Sequence, residues 1–303
     1  MKVAFLFSGQ GSQTDSLFKS FYEKSNLFAE KIHQLQQYTD IDLIESGNRY
    51  SRQQTKSTRI IQPTLLAKQL AITDILSSRG IVPTVVAGMS LGQFSAMHAS
   101  GMISASFAMR LIEKRSLLMS RDIESTPTAM VAILSNDMEK VFKMIQLKWM
   151  NNIYPSNFNS ETQVVFGGSK TVVHRLADNV NESAIGKAII LNTEGAFHTP
   201  YFANTEKGLK KFLIKHPKFS ADIPLIENET GEAVYEMTTG GVAEHSIHPV
   251  MWWQSMLTLE NMHPDFIIEI GSGSPLRKLI PKTIQNYITI ETYEDLLRLY
   301  SLI

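Results

Sequence analysis

The chain has no cysteine in its 303 residues, which excludes disulfides, thiolate metal sites and a thiol nucleophile. Any covalent catalysis must then use another group, and serine is the leading candidate. Nor is there an excess of charge of one sign. Lys+Arg and Asp+Glu are both 29, which removes the broad basic field that non-specific nucleic-acid binding needs. There is no run of about 18 uninterrupted apolar residues for a membrane-spanning helix. The N-terminal run Val3-Ala4-Phe5-Leu6-Phe7 is too short for the core of a signal peptide. A soluble, cytoplasmic protein without nucleic-acid or membrane partners is the expectation. With 43% hydrophobic residues, the chain can bury one sizeable core and a smaller one, which favours a large domain carrying an insertion.

What is present is a Gly-x-Ser-x-Gly pentapeptide at Gly88, Ser90 and Gly92, directly behind the apolar run 81–87. The pattern reads as strand, tight turn and helix: a nucleophile elbow, whose small flanking residues let the chain turn sharply and expose the serine hydroxyl. Roughly one chain in ten of this length carries such a pentapeptide by accident at average residue usage, so the context carries the weight. A strand-like run precedes it, and a segment rich in Ala and Ser, 94–101, continues as a helix. The competing reading is an ordinary strand-to-helix turn whose glycines serve only backbone geometry.

Residues 2–7 read as a strand followed at once by Ser8-Gly9-Gln10-Gly11-Ser12-Gln13, a Gly-rich loop at the carboxyl edge where α/β sheets collect ligands. A helix-like segment, 64–76, is led by Pro63, which fits a first helical turn. Residues 127–191 then give strand 129–134, helix 137–147, strands 154–159 and 163–167, helix 170–180 and strand 188–191. That βαββαβ order is a ferredoxin-like unit and reads as a compact insertion. Further strands are expected at 223–228 and 266–270, with a helix over 276–284.

A serine hydroxyl needs a base to take its proton. Of eight histidines, His198 stands out because it follows the last strand of the insertion, where the chain returns to the main sheet; a structural histidine is the competing reading. Arg115 lies on the helix-like stretch 106–122, where a buried guanidinium facing the serine would hold a carboxylate by two parallel hydrogen bonds. A solvated helix residue beside Glu113 and Lys114 is the bland alternative. The Gly9-Gln10-Gly11 loop offers backbone N–H groups to an oxyanion, although such loops are more often only turns.

In order, Phe7-Ser8-Gly9-Gln10-Gly11-Ser12-Gln13, Gly88-Met89-Ser90-Leu91-Gly92-Gln93, Glu113-Lys114-Arg115, Asn157-Phe158-Asn159-Ser160, Gly195-Ala196-Phe197-His198-Thr199-Pro200 and His248-Pro249-Val250-Met251-Trp252 resemble the motifs of malonyl-CoA:acyl-carrier-protein transacylases over nearly the whole chain. The resemblance implies an α/β-hydrolase-like large domain with a parallel sheet core, 1–126 with 192–303, and a ferredoxin-like small domain, 127–191, with the active site between them. It implies Ser90 as nucleophile, His198 as base, backbone N–H groups of Gln10 and Leu91 as oxyanion hole, and Arg115 as partner of the malonyl carboxylate. The carbonyl of Met251 would orient His198, and Met89, Phe197 and Asn159 would line the substrate pocket. The implied substrates are malonyl-CoA and a phosphopantetheinylated acyl carrier protein, with no metal and no bound cofactor, in fatty-acid or polyketide synthesis.

The chain departs from the family pattern at Met89, where histidine is usual, at Gln93 for glutamate, at Ser8 for proline and at Met251 for glutamine. Met89 replaces a ring beside the serine with a flexible thioether. These departures fit a stand-alone acyltransferase serving a polyketide or mixed peptide–polyketide pathway. Two lysine strips are candidate carrier-docking faces: Lys207, Lys210, Lys211, Lys215 and Lys218, and Lys140, Lys143 and Lys148. The alternative functions are a serine esterase or thioesterase, which would have no need of Arg115, and a degenerate acyltransferase kept as a docking subunit.

Overall fold

The computed structural model describes residues 1–11, 13–51, 57–149 and 151–302, so Ser12 of the first motif lies outside the described residues. The described strands are β1 (Val3–Phe7), β2 (Val85–Gly88), β3 (Thr128–Leu134), β4 (Ile153–Ser160), β5 (Gln163–Ser169), β6 (Lys187–Ile190), β7 (Lys218–Ile226), β8 (Ala233–Thr238), β9 (Phe266–Ile270) and β10 (Tyr287–Ile290). They form a six-stranded sheet, β10-β9-β1-β2-β7-β8, and a four-stranded sheet, β4-β5-β3-β6. The large sheet is parallel apart from the β7–β8 pair. The small one is antiparallel throughout.

Every residue of β1 is buried, as a strand with both faces covered must be. Its side chains alternate. Val3, Phe5 and Phe7 enter a cluster with Leu65, Leu66 and Ile72 of helix Thr58–Ser78. Ala4 and Leu6 face Trp252, Met256 and Leu259 of helix Trp252–Asn261 on the other side. This period of two fixes the register, since a one-residue slip would exchange the two faces. The small sheet packs Val131, Ile133, Val164 and Phe166 under helices Met138–Trp149 and Lys170–Glu182. Its opposite face presents Met130, Ala132 and Val165 to Leu191 and Phe197. That second face forms one wall of a cleft at the carboxyl ends of β1 and β2.

Three elements differ from the sequence expectation. Pro63 is the sixth residue of helix Thr58–Ser78, not a first-turn residue, because the helix starts earlier, after Ser57. The proline has no N–H to give the Arg59 carbonyl one turn back, a cost the helix carries in its second turn. Strand β2 begins at Val85, since Pro83 has no N–H for a ladder and Val82 is 57% exposed. The expected helix over 276–284 is only a 3₁₀ turn at Leu276–Leu279, followed by Ile280 in an extended conformation ahead of Pro281. No helix among the described residues is long and apolar enough to cross a membrane.

Candidate active site

Strand β2 runs into the pentapeptide, and Ser90 sits on the turn with φ 53°, in the left-handed region that a non-glycine residue rarely occupies. Two close approaches explain why both flanking positions are glycine. A Cβ on Gly88 would lie 2.0 Å from the Gly92 carbonyl, and one on Gly92 would lie 2.1 Å from the Phe7 carbonyl oxygen. The turn is held from outside by Asn228, at the end of β7. Its Oδ1 accepts from the Ser90 N–H at 2.8 Å and its Nδ2 donates to the Gly88 carbonyl at 2.7 Å. Beyond the turn begins helix Gly92–Ala99.

The Ser90 hydroxyl donates to Nε2 of His198 at 2.6 Å. His198 Nδ1 lies 2.8 Å from the main-chain carbonyl of His245 and must donate to it, which leaves Nε2 as the acceptor facing the serine. His198 is 2% exposed and, like Ser90, has a positive φ, 59°. Burial first, and then the nearby Arg115 cation, pull its pKa down to about 3, so the ring is neutral at physiological pH and Nε2 carries no proton. The expectation for Met251 is overturned. Its carbonyl accepts from the backbone N–H and hydroxyl of Ser255, in the first turn of helix Trp252–Asn261, at 2.9 and 3.0 Å. It is committed to that helix, and His245 supplies the carbonyl to His198 instead.

Arg115 projects from helix Ala105–Ser125 into the same cleft and is 1% exposed. Nη1 donates to Gln62 Oε1 at 2.7 Å, and the guanidinium carbon lies 5.3 Å from the Phe94 ring centroid. Nε and Nη2 are buried with no acceptor among the described residues. Burial lowers the pKa of the group to about 9, which leaves it charged at neutral pH. A buried cation with two nitrogens that have no partner among the described residues suits a planar carboxylate.

The cleft, of about 190 Å³, is lined by Gln10, Met89, Ser90, Leu91, Arg115, Asn159, Phe197 and His198 among others, so the sequence-predicted residues converge apart from Met251. The backbone N–H groups of Gln10 and Leu91 donate to no protein acceptor among the described residues. Asn159 donates through Nδ2 to Gln163 at 2.9 Å and leaves its buried Oδ1 unpaired. Phe197 packs on Phe202 with ring centroids 5.4 Å apart. The lysine strips are partly engaged within the chain. Lys210 pairs with Glu206 and Glu244, Lys218 with Glu236 and Lys140 with Asp137, and Lys148 donates to Asn179.

Sequence reasoning missed Asn228, His245 and Gln62. The signal for Asn228 was its place at the carboxyl end of an expected strand, the edge where sites gather. His245 was one histidine among eight, and its carbonyl role carries no side-chain signature.

A strand–elbow–helix serine facing a histidine, in a cleft between a parallel sheet and a small antiparallel sheet, is the arrangement of an α/β enzyme that acts through an acyl-serine. The chain belongs to the acyl transferase domain family, whose model matches residues 4–295, and within it to the malonyl-CoA:acyl-carrier-protein transacylases. It is 30% identical over 297 residues to the malonyl CoA-acyl carrier protein transacylase of Bacillus subtilis, covering 95% of this chain and 92% of that one. The MCAT of Streptococcus pneumoniae superposes with a TM-score of 0.89 at 27% identity, covering both chains completely. The malonyl CoA-acyl carrier protein transacylase of Clostridium perfringens gives 0.90 at 25%, covering 100% of this chain and 97% of that one.

Proposed function

We propose that this chain moves a malonyl group from malonyl-CoA to the phosphopantetheine thiol of an acyl carrier protein, in two steps through a malonyl ester on Ser90. The observation that carries this reading is the buried guanidinium of Arg115, with two idle N–H donors in the cleft that holds Ser90 and His198. A substrate with a free carboxylate satisfies those donors, and an acetyl thioester leaves them unpaired.

Ser90 Oγ attacks the thioester carbonyl while His198 Nε2 takes its proton. The oxyanion is held by the N–H groups of Gln10 and Leu91, and CoA leaves with the proton from the imidazolium. The carrier thiol then enters, gives its proton to His198 and takes the acyl group by the reverse sequence. His198 works as a dyad with Ser90, oriented by a carbonyl where a hydrolase triad has a carboxylate. Phe197, lining the cleft beside the base, would crowd an α-methyl branch and so favours the unbranched malonyl unit. On this reading 1–126 with 192–303 is the large catalytic lobe and 127–191 the small one, with the acyl chain bound between them. Use of CoA and carrier thioesters fits a cytoplasmic location.

Intact-mass analysis after mixing with malonyl-CoA, acetyl-CoA or methylmalonyl-CoA tests this. A malonyl adduct that forms fastest and vanishes in Ser90→Ala is expected. An acetyl adduct formed equally fast would remove the role given to Arg115.

A further inference from the structure

The side chain of His245 is 2% exposed and its Nε2 lies 3.1 Å from Asn228 Oδ1. Asn228 is itself fully buried, and its amide orientation is dictated by its neighbours. Nδ2 meets the Gly88 carbonyl, an acceptor, so Oδ1 is the atom that meets the Ser90 N–H, a donor. An oxygen that only accepts requires His245 to present Nε2–H, which leaves its Nδ1 bare. That Nδ1 is buried and has no partner among the described residues.

An unpaired buried acceptor is destabilising, and an apolar side chain of similar size would avoid it. The ring is also kept neutral, because burial first and the adjacent His198 and Arg115 next hold its pKa well below the ordinary imidazole value. What the ring supplies in return is one hydrogen bond to Asn228. The same residue's carbonyl receives the His198 Nδ1–H at 2.8 Å, and the two imidazole centroids are 4.9 Å apart. Asn228 is fixed from two further directions, its N–H donating to Gln93 Oε1 and its carbonyl accepting from the Met251 N–H, both at 2.7 Å.

We infer that Asn228 and His245 form a positioning pair: Asn228 braces the strained Ser90 turn from below, and His245 ties that brace to the base through its side chain and carbonyl together. Nucleophile and base are thereby referenced to one rigid unit, and their 2.6 Å contact is set by it. Gln93 has its place in the same unit, as the acceptor for the Asn228 N–H. The inference rests on the reading of Ser90 and His198 as nucleophile and base.

His245→Leu removes the ring donor and the orphaned Nδ1 while keeping the carbonyl, and His245→Gln restores a donor. Single-turnover malonylation of Ser90, KM for malonyl-CoA and thermal midpoint are measured for both and for wild type. The expected result is a loss of about 10²-fold in the acylation rate of His245→Leu, with KM unchanged, a midpoint equal to or above wild type, and recovery in His245→Gln. A full acylation rate in His245→Leu would overturn the inference, as would a Gln variant that folds as well as wild type and recovers nothing. Asn228→Ala gives a second check, with the same direction expected. A fluorophosphonate probe, which needs only an activated serine, separates the two readings. Wild type that is labelled but not malonylated refutes the malonyl reading and still ranks the variants for positioning.

Discussion

Replacing Arg115 with methionine keeps an unbranched side chain and removes the guanidinium. Nε and Nη2 have no acceptor among the described residues, so a bound malonyl carboxylate gains two charge-assisted hydrogen bonds that the variant cannot make. At about 1.5–3 kcal/mol for each bond to a charged group, the pair is worth about 3–6 kcal/mol. At 1.4 kcal/mol per decade, kcat/KM for malonyl-CoA should fall by about 10²–10⁴. Acetyl-CoA loses nothing, since it has no carboxylate, and it no longer has to leave a buried cation unpaired. The malonyl-to-acetyl preference should therefore collapse, with the acetyl rate rising. The substitution also strands Gln62 Oε1, which now accepts from Nη1 at 2.7 Å, so folding is checked by thermal denaturation first. Adduct formation on Ser90 is then timed by mass with each ester alone. A folded variant that keeps its malonyl-to-acetyl ratio, or loses both substrates equally, refutes the reasoning.

The pH profile carries a second prediction. His198 acts as a base only when neutral, and burial with Arg115 pulls its pKa down to about 3. The acid limb of kcat/KM therefore lies well below the ordinary imidazole value of about 6.5, and a limb centred there contradicts the account. Once a malonyl carboxylate offsets the Arg115 charge, the His198 pKa rises, so the acid limb of kcat for acylation should lie above that of kcat/KM. The elbow glycines give a third. Gly92→Ala puts a Cβ 2.1 Å from the Phe7 carbonyl oxygen, and because backbone cannot yield as a side chain does, destabilisation beyond the ~1–3 kcal/mol of ordinary overpacking is expected. Chemical denaturation of the variant checks it, and a wild-type midpoint would show that the turn relaxes freely.

The parts of this molecule legible in the sequence are those whose signal is local. The small sheet's βαββαβ order could be read because each strand and helix carries its own period, and β3 to β6 fall within two residues of the expected bounds. The elbow was legible because the two glycines and the serine stand between a strand-like run and a helix-like segment, which the pentapeptide alone does not supply. Strands β8 and β10 were not anticipated. β8 is largely exposed, with only Met237 buried between Ala233 and Thr238, so hydrophobic alternation does not mark it. The Leu276 turn stops short because Pro281 acts on the residue before it, a constraint that apolar spacing alone does not reveal. In the site, Ser90 was marked by its pentapeptide, while His198 and Arg115, each left open by position, were singled out by the family motifs around them. The orienting carbonyl was misplaced at Met251 because any residue can offer a main-chain oxygen, and only the path of the chain decides which one arrives. Asn228 and His245 act through contacts 138 and 47 residues distant in sequence from Ser90 and His198 respectively, which no local pattern encodes.

Transfer through Ser90 is tested by isolating the second half-reaction. Malonylated enzyme, freed of CoA, is mixed with holo acyl carrier protein or with buffer, and the mass of both proteins is followed with time. The account predicts that the malonyl group moves stoichiometrically to the carrier thiol, far faster than it is lost to water, and that Ser90→Ala never carries it. Loss to water at the same rate with and without carrier would identify a hydrolase and contradict the account.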